Sequence, residues 1–198
     1  MKFKTLGATA SVAALIALSA AVPATAGNSS AVGLEDMLPV LAVPQDDTDR
    51  MPHGIDLADL GGVSKDSVRA IGSDEAARYW VGRSGTSEVC LILQVAADSE
   101  MAASTCAPIT EFYRNGLRLV AGKSADDPSS SAEAYLLPAD IDLAAIGAPE
   151  ARATARSVAS SPNLVSGRPD QLEDLERVEV RREDGSTFYF NPISFEGK

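Results

Sequence analysis

The pattern of hydrophobic and polar positions reads as strand from Ala77 to Ala96, where two runs rich in β-branched and aromatic residues flank a turn. Ala77–Arg83 carries Tyr79, Trp80 and Val81, the stretch from Gly82 to Gly85 supplies the turn, and Glu88–Ala96 forms the second run. In that run Val89, Leu91, Leu93 and Val95 point one way while Cys90, Ile92 and Ala96 point the other. Both sets are apolar, which predicts a central strand covered on each side.

Downstream the period changes. Pro108 opens a helix with Ile109, Phe112 and Tyr113 on one side, and Asn115-Gly116 ends it with a left-handed cap. Leu117–Ala121 reads as a strand with Arg118 directed away from Leu117 and Leu119, and Lys123–Ser131 as a polar loop. Ala134–Leu137 is a further short strand. Pro149–Ala159 is Ala-rich with Arg152 and Arg156 four apart, an exposed helix. Pro169 begins another short helix with Leu172 and Leu175 turned inward. The chain closes on its strongest hairpin signal: Val178 and Val180 alternate with Glu179 and Arg181, Asp184-Gly185 makes the turn, and Phe188–Phe190 returns. Together these elements predict an α+β class: an antiparallel sheet, short flanking helices and one disulfide within a single domain of residues 52–194, followed by a tail of residues 195–198.

Residues 27–51 lack a sustained period and contain the acidic cluster Asp46, Asp47 and Asp49, so they read as a flexible acidic leader. The competing reading is a short docking helix, because Leu34, Met37, Leu38 and Leu41 sit at helical spacing. One internal similarity crosses the domain: Pro52–Gly61 matches Pro138–Gly147 at six of ten positions. A duplicated unit would explain it. Two loops reaching one local solution, with Pro for the turn, Asp for the cap and Gly for the stop, explain it better, since the likeness fades beyond both glycines.

The N-terminus changes the compartment. Lys2 and Lys4 precede an apolar, small-residue stretch from Leu6 to Val22, and Ala24-Thr25-Ala26 fits a cleavage site before Gly27. This predicts a signal peptide over residues 1–26 and a secreted, extracellular or wall-associated protein. The alternative is an uncleaved membrane anchor. Cleavage removes two of the 17 basic residues and none of the 28 acidic ones, so the net charge of −11 becomes more negative still. Such a chain is poorly suited to nucleic acid or to anionic membrane surfaces, and no stable membrane insertion is expected after cleavage.

Candidate chemistry is sparse. Cys90 and Cys106 are the only cysteines, and in an oxidising compartment two are most simply one bond; it would join the central strand to the entrance of the Pro108 helix and contribute about 3 kcal/mol. His53, the lone histidine, lies at the edge of the leader, where nothing would hold it to catalytic tolerance. No lysine follows a serine at the spacing of a Ser-Lys mechanism. Gly116–Ser124 misses the phosphate-loop spacing by one residue, and Asp47–Met51 lacks the acid and glycine of a calcium loop. No cofactor or metal is implied. Asp140 with Asp142, or Glu173 with Asp174, could serve a carboxylate-dependent extracellular hydrolase, which would need two acids facing one cleft. The leading expectation is instead a non-enzymatic binding or structural module of the cell envelope, its partner a protein or envelope ligand. Tyr79, Trp80 and Tyr189 are the candidate partner-binding aromatics.

The run Tyr79-Trp80-Val81-Gly82, then Val89-Cys90-Leu91-Ile92, then Ser104-Thr105-Cys106, then Phe112 and Gly116-Leu117, resembles a group of small exported or membrane-tethered proteins of high-GC Gram-positive bacteria, mostly of unassigned function. The preference for arginine over lysine agrees with such a source. The resemblance spans roughly residues 66–121 and implies a small antiparallel sheet closed by a Cys90–Cys106 bond, and no reaction.

Overall fold

The computed structural model describes residues 32–123, 130–147 and 163–193. The signal segment, the helix expected over Pro149–Ala159, most of the Lys123–Ser131 loop and the tail lie outside the described residues.

The first half of the described chain forms a four-stranded antiparallel meander in the order β1-β2-β3-β4: Arg69–Ser73, Ala77–Ser84, Glu88–Val95 and Ala102–Pro108. As the two-sided apolar pattern requires, β3 is an interior strand. A seven-residue helix, α2 (Ile109–Asn115), follows, with Phe112 buried. A shorter helix, α1, precedes the sheet at Leu34–Met37. Gly116 closes α2 at a positive φ, and an added Cβ there would lie 2.6 Å from the Leu136 carbonyl oxygen, so both backbone and space demand glycine. The chain then builds a second antiparallel sheet in the order β5-β6-β7 (Leu117–Gly122, Ser131–Leu137, Asn163–Gly167) and closes on the hairpin β8–β9 (Val178–Arg181, Thr187–Phe190). The class is α+β with one disulfide, as the sequence predicts.

Three apolar clusters stack these layers. Tyr79, Val81, Leu91 and Leu93 on one face of the first sheet meet Leu119, Ala134, Leu136 and Leu164 of the second. Trp80, Cys90 and Ile92 on the other face are covered by Leu60, Val63 and Val68. The outer face of the second sheet, Tyr135, Leu137 and Val165, is covered by Phe188 and Phe190 of the hairpin with Ile146, Leu172 and Leu175. A fully buried Leu or Phe contributes about 1.5–3 kcal/mol, so each layer is held by several such groups.

The leader expectation is corrected from Val32 onward. Leu34, Met37, Leu38 and Val40 belong to the core between the sheets, and the Met37 carbonyl accepts from the Ala139 N–H at 2.9 Å. The helical spacing of those residues was the informative signal, although the helix itself is one turn. The acidic cluster is built in as well: buried Asp49 accepts from the backbone N–H groups of Ala70 at 2.8 Å and Asp46 at 2.9 Å. The Pro52 and Pro138 segments share one local device. Asp56 and Asp142 each accept from the N–H two residues on, at 2.9 Å, and Gly61 and Gly147 each end the turn at positive φ. The first segment leads toward β1 and the second leaves β6, which fits a shared turn solution better than a duplicated unit.

Candidate binding groove

The position of β4 decides what surface this fold offers. It is the outermost strand of the first sheet, and its composition from Ala102 to Ala107 is small and uncharged. Cys106 stands directly opposite Cys90 in the β3–β4 register and is bonded to it, with a Cα–Cα distance of 4.1 Å. So short a separation marks a pair that exchanges no backbone hydrogen bonds. The bonds flanking the pair agree: Val95 N–H donates to Met101 at 3.0 Å and Ile109 N–H to Ser87 at 2.9 Å, which places the bonded pairs at odd positions of β4. The N–H groups of Ser104 and Cys106 consequently point away from β3. Pro108, which has none, occupies the next such position. Among the described residues no backbone or side-chain group pairs with those outward N–H groups.

Beside this edge lies a groove of about 440 Å3, within the range of small-ligand sites. Thr105–Ala107 of β4 form one wall; Glu111 and Asn115 at the end of α2 and Gly116–Arg118 at the start of β5 form another; Tyr135 and Leu137 of β6 line it below; Arg177, Phe190 and Asn191 complete it from the hairpin layer. Arg118 donates from Nη1 to the Asn191 carbonyl at 3.1 Å. Neither Arg118 nor Arg177 makes an ion pair among the described residues; Arg78, Arg114 and Arg181 make none either, while Arg50, Arg69, Arg83, Arg168 and Arg182 do, so what sets Arg118 and Arg177 apart is that both line the groove. In a chain with 28 acidic residues, the groove is locally basic in composition, with two arginines against one carboxylate in its lining. Glu111 is the one carboxylate among the described lining residues, and its side chain accepts from Asn115 Nδ2.

Tyr135 connects the groove to a buried acid that sequence reasoning missed. Its hydroxyl donates to Glu133 and accepts from the Ile193 N–H at 2.7 Å. Glu133 is buried on the same face of β6, and burial pushes its carboxyl up to about 7 despite the Tyr135 hydrogen bond. Burial, and then the bond to Glu133, push the Tyr135 hydroxyl upward too. The signal was present as a lone Glu two residues from Tyr135 inside an apolar strand, but its face could be assigned only once β5 and β7 were placed.

The predicted site residues do not converge. Tyr79 and Trp80 are 0% and 3% exposed and belong to the core on opposite faces of β2, so the expectation that they anchor a partner is corrected. Tyr79 donates to Asp74 at 2.9 Å, and Asp74 also accepts from Ser166 at 2.6 Å, so this aromatic ties the two sheets together. Tyr189 is 42% exposed on the outer face of the hairpin, opposite Glu179, and does not line the groove. Cys90 is buried and half-buried Cys106 lines the groove; their bond ties the central strand to the residues just before the Pro108 cap of α2, as expected, and those residues form the adjacent strand β4. Gly61 packs against it, since a Cβ there would stand 2.8 Å from the Cys106 sulfur. His53 is exposed in a turn. The acid pairs lie elsewhere: Asp140 pairs with buried Arg182 at 2.9 Å, Asp142 caps a turn, and Glu173 and Asp174 are exposed outside the groove.

No helix among the described residues is long and apolar enough to cross a membrane, and no group of three potential metal ligands occurs among them. Comparison with family models, with curated proteins and with solved structures finds no match.

Proposed function

We propose that this chain is an exported, non-enzymatic binding module of the cell envelope or medium, and that its ligand sits in the groove between β4, α2 and the hairpin layer. The observation that carries the reading is the pair Arg118 and Arg177 on that groove, without carboxylate partners among the described residues of a strongly acidic chain. Export is supported by the signal-like residues 1–26 and by the Cys90–Cys106 bond, which persists in oxidising compartments. The resemblance to small exported proteins of high-GC Gram-positive bacteria points the same way. Catalysis by paired carboxylates has less support, because Glu111 has no acidic neighbour among the lining residues.

The test is a residue-resolved titration of the isotope-labelled protein with soluble fragments of the producing cell's envelope, separated into peptide and glycan pools. Amide shifts concentrated at Thr105–Ala107, Asn115–Arg118 and Asn191, and reduced in Arg118→Ala and Arg177→Ala, are expected. Shifts that spare these positions, or none with any pool, would contradict it.

A further inference from the structure

We infer that the groove takes an extended, carboxylate-bearing peptide, which adds to the free edge of β4 as a fifth strand. The inference rests on the groove being the binding site and specifies what occupies it.

Three observations carry it. First, Ser104 and Cys106 present N–H groups outward with no partner among the described residues, and Cys106 itself lines the groove. An incoming strand binds such an edge through its own backbone, whatever its side chains. Second, this edge lacks the features that usually block strand addition: Ala102–Ala107 contains no charge and no bulge, and the one proline, Pro108, lies at its end. At the opposite edge of the same sheet, β1 is bulged between Ala70 and Gly72, and Asp49 occupies the Ala70 N–H at 2.8 Å. Third, Arg118 and Arg177 supply guanidinium groups suited to carboxylates beside the β4 backbone. A second copy of this chain is the less suitable occupant, because its own β4 edge brings no charge to the arginines.

The carboxylate could belong to an acidic side chain or to a free C-terminus. Three hexapeptide probes separate these sources: acetyl-Thr-Val-Glu-Val-Glu-Thr-amide, the same peptide with Gln for Glu, and the Gln peptide ending in a free carboxyl. Binding is measured by calorimetry, and amide exchange is followed residue by residue on the full protein. At least one carboxylate peptide is expected to bind at least about 5-fold more tightly than the neutral one. Exchange at Ser104 and Cys106 should slow by about 10-fold or more when it binds. Ser104→Pro, or N-methylation of alternate peptide residues, should weaken binding by about 10-fold. The methylated peptide keeps the test valid should the proline variant fold poorly.

Equal binding of the neutral peptide, binding without protection at Ser104 and Cys106, or no binding by any of the three would overturn strand addition. So would self-association of the protein that Ser104→Pro abolishes, because a second copy would then be the occupant. Envelope fragments that shift the groove amides while the peptides fail would leave the groove reading standing and remove only this one.

Discussion

The two edge strands of the first sheet face opposite problems. At β1 the chain bends through a bulge, Asp49 takes up the Ala70 N–H, and buried Arg69 donates to the carbonyls of Val43, Asp66 and Val68 at 2.8–3.0 Å. At β4 there is a straight register, small side chains and a row of outward backbone groups beside a groove. An exposed edge invites unwanted pairing, and proteins commonly bulge, charge or cover it. One edge of the sheet is treated in this way and the other is left open, and the proposed strand addition rests on that contrast. The disulfide belongs to the same logic: it fastens β4 to β3 from within and leaves the outer side free.

That contrast can be broken, starting with its largest support. The double substitution Cys90→Ala/Cys106→Ala should lower unfolding free energy by about 3 kcal/mol in denaturant titrations, with faster exchange in β4 than in β1. Equal loosening of both edges would show that the bond serves the whole sheet.

Beside the groove, Glu133→Gln tests the buried acid. Burial disfavours ionised Glu133 in the folded chain, so the folded state retains a proton that the unfolded chain has released between about pH 4.5 and 7. Stability from this group therefore falls as pH rises through that window and is constant above it. The Gln variant should be more stable than the wild type by about 2–3 kcal/mol at pH 8 and indistinguishable at pH 4. A pH-independent difference would mean that Glu133 does not titrate as its burial requires.

At the closed edge, Asp49→Ala leaves the Ala70 N–H without its acceptor and should cost about 1–2 kcal/mol of thermal stability. At the open edge, Ser104→Pro removes an N–H that bonds to nothing and should cost less than about 1 kcal/mol. A Ser104→Pro penalty larger than that of Asp49→Ala would reverse the comparison. Smallest of all, Tyr189→Ala on the solvent face of the hairpin should change stability by less than about 0.5 kcal/mol and leave groove binding intact.

Much of the fold was legible wherever the side-chain pattern was strong. The two-sided apolar run of β3, the Pro108 helix with its glycine stop, the strand around Leu117–Leu119 and the closing hairpin all appear as expected. So does the bond between the two cysteines. β4 was not legible, because Ala-Ala-Ser-Thr-Cys-Ala has neither alternation nor large β-formers, and its strand character comes from pairing with β3. Likewise β7, only five residues long, is specified by β6 and not by its own composition. Tyr79 and Trp80 looked like partner anchors because aromatic side chains serve both cores and interfaces; only the layers on either side of β2 show which role they take. The groove was beyond reach for a different reason: its walls come from β4, α2, β5, β6 and the hairpin layer, and no local pattern records that they meet.

Residue-resolved amide exchange of the free protein tests the open edge most directly. Ser104 and Cys106 should exchange at least about 100-fold faster than Ala103, Thr105 and Ala107, whose N–H groups are bonded into β3. Uniform protection along Ala103–Ala107 would contradict the account, because it would mean that the outer side of β4 is already paired.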